Sequence, residues 1–181
     1  MHFLATLLLT LTPATMALKD NTFYITTRYT NGTVVTEELL NPSERIIVQE
    51  DGIHTIGQNV NTAPGPARLS KRFTDCWGSQ LDESGVDSAV RQWKGYLAGQ
   101  NMDLTSSSSS TRHVFYAAEG MKVYYCINAK SSSGNLDLKD FNYALEQMDA
   151  KCRRYEASYF RWDGSVEIVG KSNEGTEVCR G

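Results

Sequence analysis

All four cysteines of this 181-residue chain, Cys76, Cys126, Cys152 and Cys179, lie C-terminal to one dibasic pair, Lys71-Arg72. An even cysteine count in a short exported domain implies a framework of two disulfides, and that framework limits how the segment carrying it can fold. The distribution divides the chain into a cysteine-free front and a stapled back.

The front opens on an uncharged apolar run, Phe3 to Leu11, reading FLATLLLTL. It is too short to span a bilayer and fits the apolar region of a signal peptide. Thr15-Met16-Ala17 puts small residues at the −3 and −1 positions of a cleavage site after Ala17. A buried N-terminal helix is the alternative, because only His2 and the α-amine stand where Lys or Arg is usual. No later segment approaches the roughly 20 apolar residues of a membrane span. The layout expected is a signal peptide over 1–17, a pro-segment and linker over 18–72, and a mature, secreted, extracellular domain over 73–181.

Between Leu18 and Arg72 the charges balance at six basic and six acidic. Thr22 to Thr30 and Ile46 to Gln49 read as strands, with Asn31-Gly32 as a turn. Asn31-Gly32-Thr33 is also an N-glycosylation sequon. Residues 59–70, with Pro64-Gly65-Pro66, have linker composition. Lys71-Arg72 ends that linker, where a subtilisin-like processing protease would find an extended, accessible chain. Arg153-Arg154 reads instead as a solvated helix end, which folded structure protects from proteolysis.

The 109 residues from Phe73 to Gly181 suffice for one modest core. Phe73 to Gly78 reads as a first strand. A helix follows with Ser84 as candidate N-cap and Val86, Val90, Trp93 and Leu97 on one stripe, stopping at Gly99. Five consecutive serines, Ser106 to Ser110, read as a mobile loop. His113 to Ala118 and Met121 to Asn128 form a hairpin around Glu119-Gly120. After a break at Ser131 to Gly134, a second helix starts at Asp137, with Asp140 at N3, Leu136 stapling onto Phe141, and Phe141, Leu145, Met148 and Cys152 on its apolar stripe. Tyr155 to Trp162 and Val166 to Val169 are the last strands, with Asp163-Gly164 turning between them.

The order β-α-β-β-α-β, plus one strand, predicts an α+β, ferredoxin-like two-layer sandwich with both helices on one face. Three cysteine pairings are possible. A Cys152 on the sheet-facing stripe of the second helix and a Cys126 on the preceding strand favour Cys126–Cys152, leaving Cys76–Cys179 to pin the tail. Cys126 and Tyr124 then face the helices, while Val123, Tyr125 and Ile127 face the other side. Tyr159 and Arg161 extend that side. These five residues are the candidate binding surface, unless the fifth strand, the pro-segment or the serine loop covers it. A free sheet edge or face also permits a homodimer.

No phosphate loop, nucleophile elbow or zincin motif is present. The single histidine of the back segment, His113, and the absence of knuckle-spaced cysteines argue against zinc. No cofactor or metal is expected. A small hydrolase would have to use His113 with Glu119 and an arginine, or a carboxylate pair drawn from Asp75, Asp82, Glu83, Glu119, Glu156, Asp163 and Glu167. The bland reading of His113 is a solvated strand-edge residue. With 12 basic and 15 acidic residues in the back segment, nucleic acid is not an expected partner.

The segments Asp75-Cys76-Trp77-Gly78, Tyr124-Tyr125-Cys126-Ile127 and Gly134-Asn135-Leu136-Asp137-Leu138, with the terminal Cys179, resemble fungal small secreted proteins. The nearest types are the killer-toxin-like proteins with α/β sandwich folds and the necrosis-inducing effectors. The resemblance is architectural and implies an extracellular toxin or host-directed effector that binds a protein or cell-surface target. It transfers no catalytic residue. A binding module should centre on Tyr125, Tyr159 or Trp162. An enzyme should converge two ionisable groups in a cleft, and a cell-wall protein should show an aromatic shelf or no cleft.

Overall fold

A computed structural model describes residues 18–39, 46–49, 52–55 and 73–180. The expected leader, the Pro/Gly linker and Lys71-Arg72 lie outside these residues. The elements run β1 (Thr22–Tyr29), β2 (Val34–Glu38), β3 (Ile46–Gln49), β4 (Gly52–Thr55), β5 (Phe73–Gln80), α1 (Glu83–Leu97), β6 (Met102–Thr105), β7 (Ser110–Ala118), β8 (Met121–Ile127), β9 (Ser133–Leu136), α2 (Leu138–Lys151), β10 (Glu156–Arg161) and β11 (Glu167–Asn173).

Seven strands form one sheet in the order β2-β1-β7-β8-β11-β10-β5, antiparallel throughout. Both helices pack on one face, α1 against β7 and β8, α2 against β10 and β5. The class is α+β, as expected, but the strand order is not the ferredoxin-like one. That arrangement would set β5 inside the sheet; here β5 is an edge and β11 holds the interior place between β8 and β10. The tight turn at Asp163-Gly164, with Gly164 at φ +67°, folds β11 directly back onto β10. Five consecutive buried residues in β11 then suit a strand flanked on both sides.

The front segment contributes to the sheet: β1 pairs with β7 along its whole length, from Thr22 opposite Ala117 to Tyr29 opposite Ser110. Phe23 and Ile25 enter the main core, where the Phe23 ring meets Trp93 at 5.2 Å and Tyr116 at 4.8 Å between centroids. Asp20 Oδ1 accepts from the Glu119 N–H at 2.9 Å and so secures the β7–β8 turn.

Helix capping is local and mostly legible. Asp137 caps α2 by accepting from the Asp140 N–H at 2.7 Å. On α1 the cap is Asp82 rather than Ser84. Asp82 Oδ1 accepts from the Gly85 N–H at 2.9 Å, and the Ser84 hydroxyl donates to the same carboxylate at 2.7 Å. A carboxylate at the positive end of the helix is the better acceptor, and these donors hold the Asp82 carboxyl below the usual carboxylate range.

The serine run is not a mobile loop. Ser106 and Ser110 are buried. Ser106 N–H donates to the Ser132 carbonyl at 2.8 Å, and Ser131 N–H donates to the Ser107 carbonyl at 2.9 Å. The Ser106 hydroxyl also donates to the carbonyls of Ala129 and Ser132. The two polar runs are each other's partners, and they extend the β6–β9 pair. Small hydroxyl side chains supply the acceptors and donors that buried backbone requires.

The disulfides join Cys76 to Cys152 and Cys126 to Cys179, with Cα separations of 5.6 and 6.2 Å. This corrects the expected pairing, and the reason is the face on which β8 presents its side chains. Cys126 and Tyr124 lie on the face away from the helices, packed with Phe115, Ile168 and Val178, so Cys126 cannot reach the end of α2. Cys76 on the edge strand can. Each bridge closes a long loop, of 76 and 53 residues in sequence separation, which chain entropy values at up to about 4.5 kcal/mol.

The outer face is covered in its centre by the C-terminal tail. Val178 and the Cys126–Cys179 bridge pack there, and Lys122 Nζ donates to the carbonyls of Glu174 at 2.9 Å and Thr176 at 2.6 Å. Burial pushes the Lys122 amine down to about 8. Beneath the tail, Tyr124 lies across Gly170, the residue opposite it on β11. A methyl group at Gly170 would overlap the Tyr124 ring. Gly170→Ala is expected to lower stability by about 1–3 kcal/mol, read from the urea midpoint, and to leave the disulfides intact.

Candidate functional site

Three of the five expected surface residues are not on a surface. Val123, Tyr125 and Ile127 are fully buried beneath the helices. Because β8 buries both of its faces, alternation could not say which set points at the helices. Tyr125 hydroxyl donates to Glu167 Oε1 at 2.6 Å, and the same oxygen accepts from the Asn135 N–H at 3.0 Å. Burial and the neighbouring carboxylate push the phenol far up, so it stays a neutral donor. This is an internal brace between β8, β9 and β11.

Tyr159 and Arg161 do lie on the outer face, and they have company. On the edge strand β5, Phe73, Asp75 and Trp77 share that face with them. The Tyr159 ring is 5.9 Å from Phe73 and 5.9 Å from Trp77 between centroids. Phe73 is 43% exposed, the second most exposed large apolar residue among those described. Arg161 lies 5.8 Å and Lys151 5.5 Å from the Phe73 ring centroid, within cation–π range. Burial and the Asp75 carboxylate push the Tyr159 phenol up. The result is an aromatic row, rimmed by two cations, along a strand that has a neighbour on one side only among the described residues. Sequence reading found Tyr159 and Arg161 but not Phe73 and Trp77, since only the β5–β10 pairing brings them together: Tyr159 stands opposite Asp75 and Arg161 opposite Phe73. Trp162 turns to the helix side and packs on Phe160.

The residues considered for chemistry are dispersed. His113 is no edge residue. It is 8% exposed, in the middle of β7, with its ring stacked 5.6 Å from Phe115. Glu119 lies in the turn six residues further along and accepts from the Ser84 hydroxyl. At about 3.3 Å per residue the two are some 20 Å apart. Of the other carboxylates, Asp82 caps α1. Glu156 accepts from the Gly78 N–H at 2.8 Å, and Glu167 belongs to the Tyr125 brace. Asp75 flanks the aromatic row. Glu83 opens α1 and Asp163 stands in the β10–β11 turn. Among the described residues, no group of three or more His, Cys, Asp or Glu is placed to hold a metal ion.

One cleft, about 380 Å³, opens between α1 and α2. Four of its charged side chains form two ion pairs. The buried Lys171 amine meets Asp149 Oδ1 at 2.6 Å, Asp87 meets Arg154 at 3.6 Å, and Tyr155 hydroxyl donates to Asp87 Oδ2 at 3.2 Å. Among the described residues that line it, none is a histidine, cysteine or serine. The arrangement links α2 to β11 through Asp149 and Lys171, and α1 to the turn before β10 through Asp87, Arg154 and Tyr155.

Among the described residues, no helix is long and apolar enough to cross a membrane. The chain matches no protein-family model, no curated protein and no solved structure.

Proposed function

We propose that this is an exported binding protein of toxin or host-directed effector type, matured by cleavage after Arg72, which acts through contact at the β5 edge. The observation that carries the reading is the half-exposed row of Phe73, Trp77 and Tyr159 beside an unpaired strand edge. A target can add a strand to β5 through its backbone while the rings fill side-chain pockets, and Arg161 and Lys151 favour an acidic segment. The two disulfides suit an oxidising extracellular setting. Asn31, exposed in the β1–β2 turn, is the glycosylation site of this reading.

The test uses metabolically labelled secreted protein applied to intact target cells. Saturable binding, competed by unlabelled protein, is expected. The double substitution Trp77→Ala and Tyr159→Ala should weaken it at least ten-fold, with unchanged circular dichroism and no free thiols, because aromatic anchors dominate contact energies at about 2 kcal/mol or more each. Equal binding by the double variant would remove the β5 edge from the function. Self-association lost in that variant would identify a second copy as the occupant.

A further inference from the structure

At one end of the sheet, three cations from remote parts of the chain converge on a groove of about 490 Å³: Arg28 from the end of β1, Lys130 from the loop after β8, and Arg180 from the tail. Tyr29, Thr30, Thr111 and Asn128 complete its polar lining. The chain as a whole carries a net charge of −3, so this concentration of positive charge is local and owes nothing to composition.

Two features hold the cations together against their mutual repulsion. Arg28 sits in a strand paired on both sides, opposite Val34 and Thr111. Arg180 follows Cys179, whose bridge to Cys126 ties the tail to the sheet. Cys179 itself has φ +56°, a left-handed conformation that non-glycine residues avoid unless the surroundings enforce it. One carboxylate stands between the two guanidiniums: Glu177 reaches Arg28 at 3.6 Å and Arg180 at 3.1 Å. It is a single charge against three, and its side chain is 58% exposed.

We infer that this groove binds a small molecule bearing a phosphate or sulfate ester, with Arg28 and Arg180 clasping the oxyanion and Lys130 adding a point charge. Planar guanidiniums match tetrahedral oxyanions through paired hydrogen bonds, and an ammonium supplies an undirected charge. The volume exceeds what a bare ion fills and falls in the range of ligand pockets. It therefore leaves room for the sugar-sized body that carries the ester, against Tyr29 and Asn128. The groove lies on different strands from the β5 edge, so it is independent of the contact surface proposed above.

Calorimetric titration of the full secreted protein tests this with four probes: hexose 6-phosphate, hexose 6-sulfate, inorganic phosphate and unmodified hexose. Saturable binding of either ester, weaker binding of inorganic phosphate and none of the plain hexose are expected, with affinity falling as salt rises. A preference between the two esters tells phosphate from sulfate as the natural group. Arg180→Gln, at an exposed tail position that cannot unfold the sheet, should weaken ester binding about ten-fold or more. Glu177→Gln, which removes the competing carboxylate, should tighten it several-fold. Absence of saturable ester binding in the unaltered protein would overturn the inference. So would identical affinity in the Arg180→Gln and Glu177→Gln variants, which would mean nonspecific attraction.

Discussion

A chain that begins at Phe73 is expected not to fold. Removing residues 18–39 takes Phe23, Tyr24 and Ile25 out of the protein, all of them buried. At about 1.5–3 kcal/mol for each large apolar side chain, the loss is roughly 5–9 kcal/mol, comparable to the whole stability of a domain this size. It also bares β7, whose nine residues are all buried in the intact protein. Circular dichroism and urea titration of the 73–181 fragment should show no cooperative transition. Phe23→Ala in the full chain should cost about 3–5 kcal/mol. If a protease cuts after Arg72, the two pieces should still co-elute under native conditions and part only in denaturant, since both disulfides lie within the larger piece. A free 73–181 fragment that unfolds at the full chain's midpoint would refute this account of β1.

Acid should weaken the fold through His113. Burial, reinforced by the positive charges of Lys122 and Arg28, pushes its imidazole down to about 3 from 6.5. The native state therefore keeps the ring neutral where an unfolded chain would protonate it. Below pH 6.5 the unfolded state binds the extra proton, so stability falls as pH drops from 6.5 toward 3. The fall from 6.5 to about 3 corresponds to roughly 4–5 kcal/mol across that window. Urea midpoints at pH 7, 5 and 4 measure it. His113→Phe keeps an aromatic ring against Phe115 and removes the titration, so its midpoints should fall less steeply. Parallel pH profiles for the two proteins would rule His113 out as the source.

What could be read in advance was whatever is written locally. The hairpin around Glu119-Gly120, at φ +50° and +73°, announces itself through its turn residues. The start of α2 is encoded in Asp137 and Asp140, three positions apart. The rest depends on partners far away in sequence. Thr22 to Tyr29 reads as a strand, yet nothing within it says that its neighbour starts at Ser110. Tyr124-Tyr125-Cys126 is buried on both faces, so hydrophobic alternation carries no sign of inside or outside. That ambiguity underlies both the different disulfide pairing and the inward placement of Val123, Tyr125 and Ile127. The serine runs mislead for a different reason. Their composition describes solvated chain, but each supplies the hydrogen bonds the other needs.

The position of β11 has a consequence for synthesis. It is the last of the described strands, yet it lies between β8 and β10. Until Glu167 to Asn173 leave the ribosome, β2-β1-β7-β8 and β10-β5 are two disconnected half-sheets with apolar rows facing solvent. Nascent material of this kind is adhesive. The seven-stranded sheet is therefore joined only when Glu167 to Asn173 enter it, and that strand is its keystone.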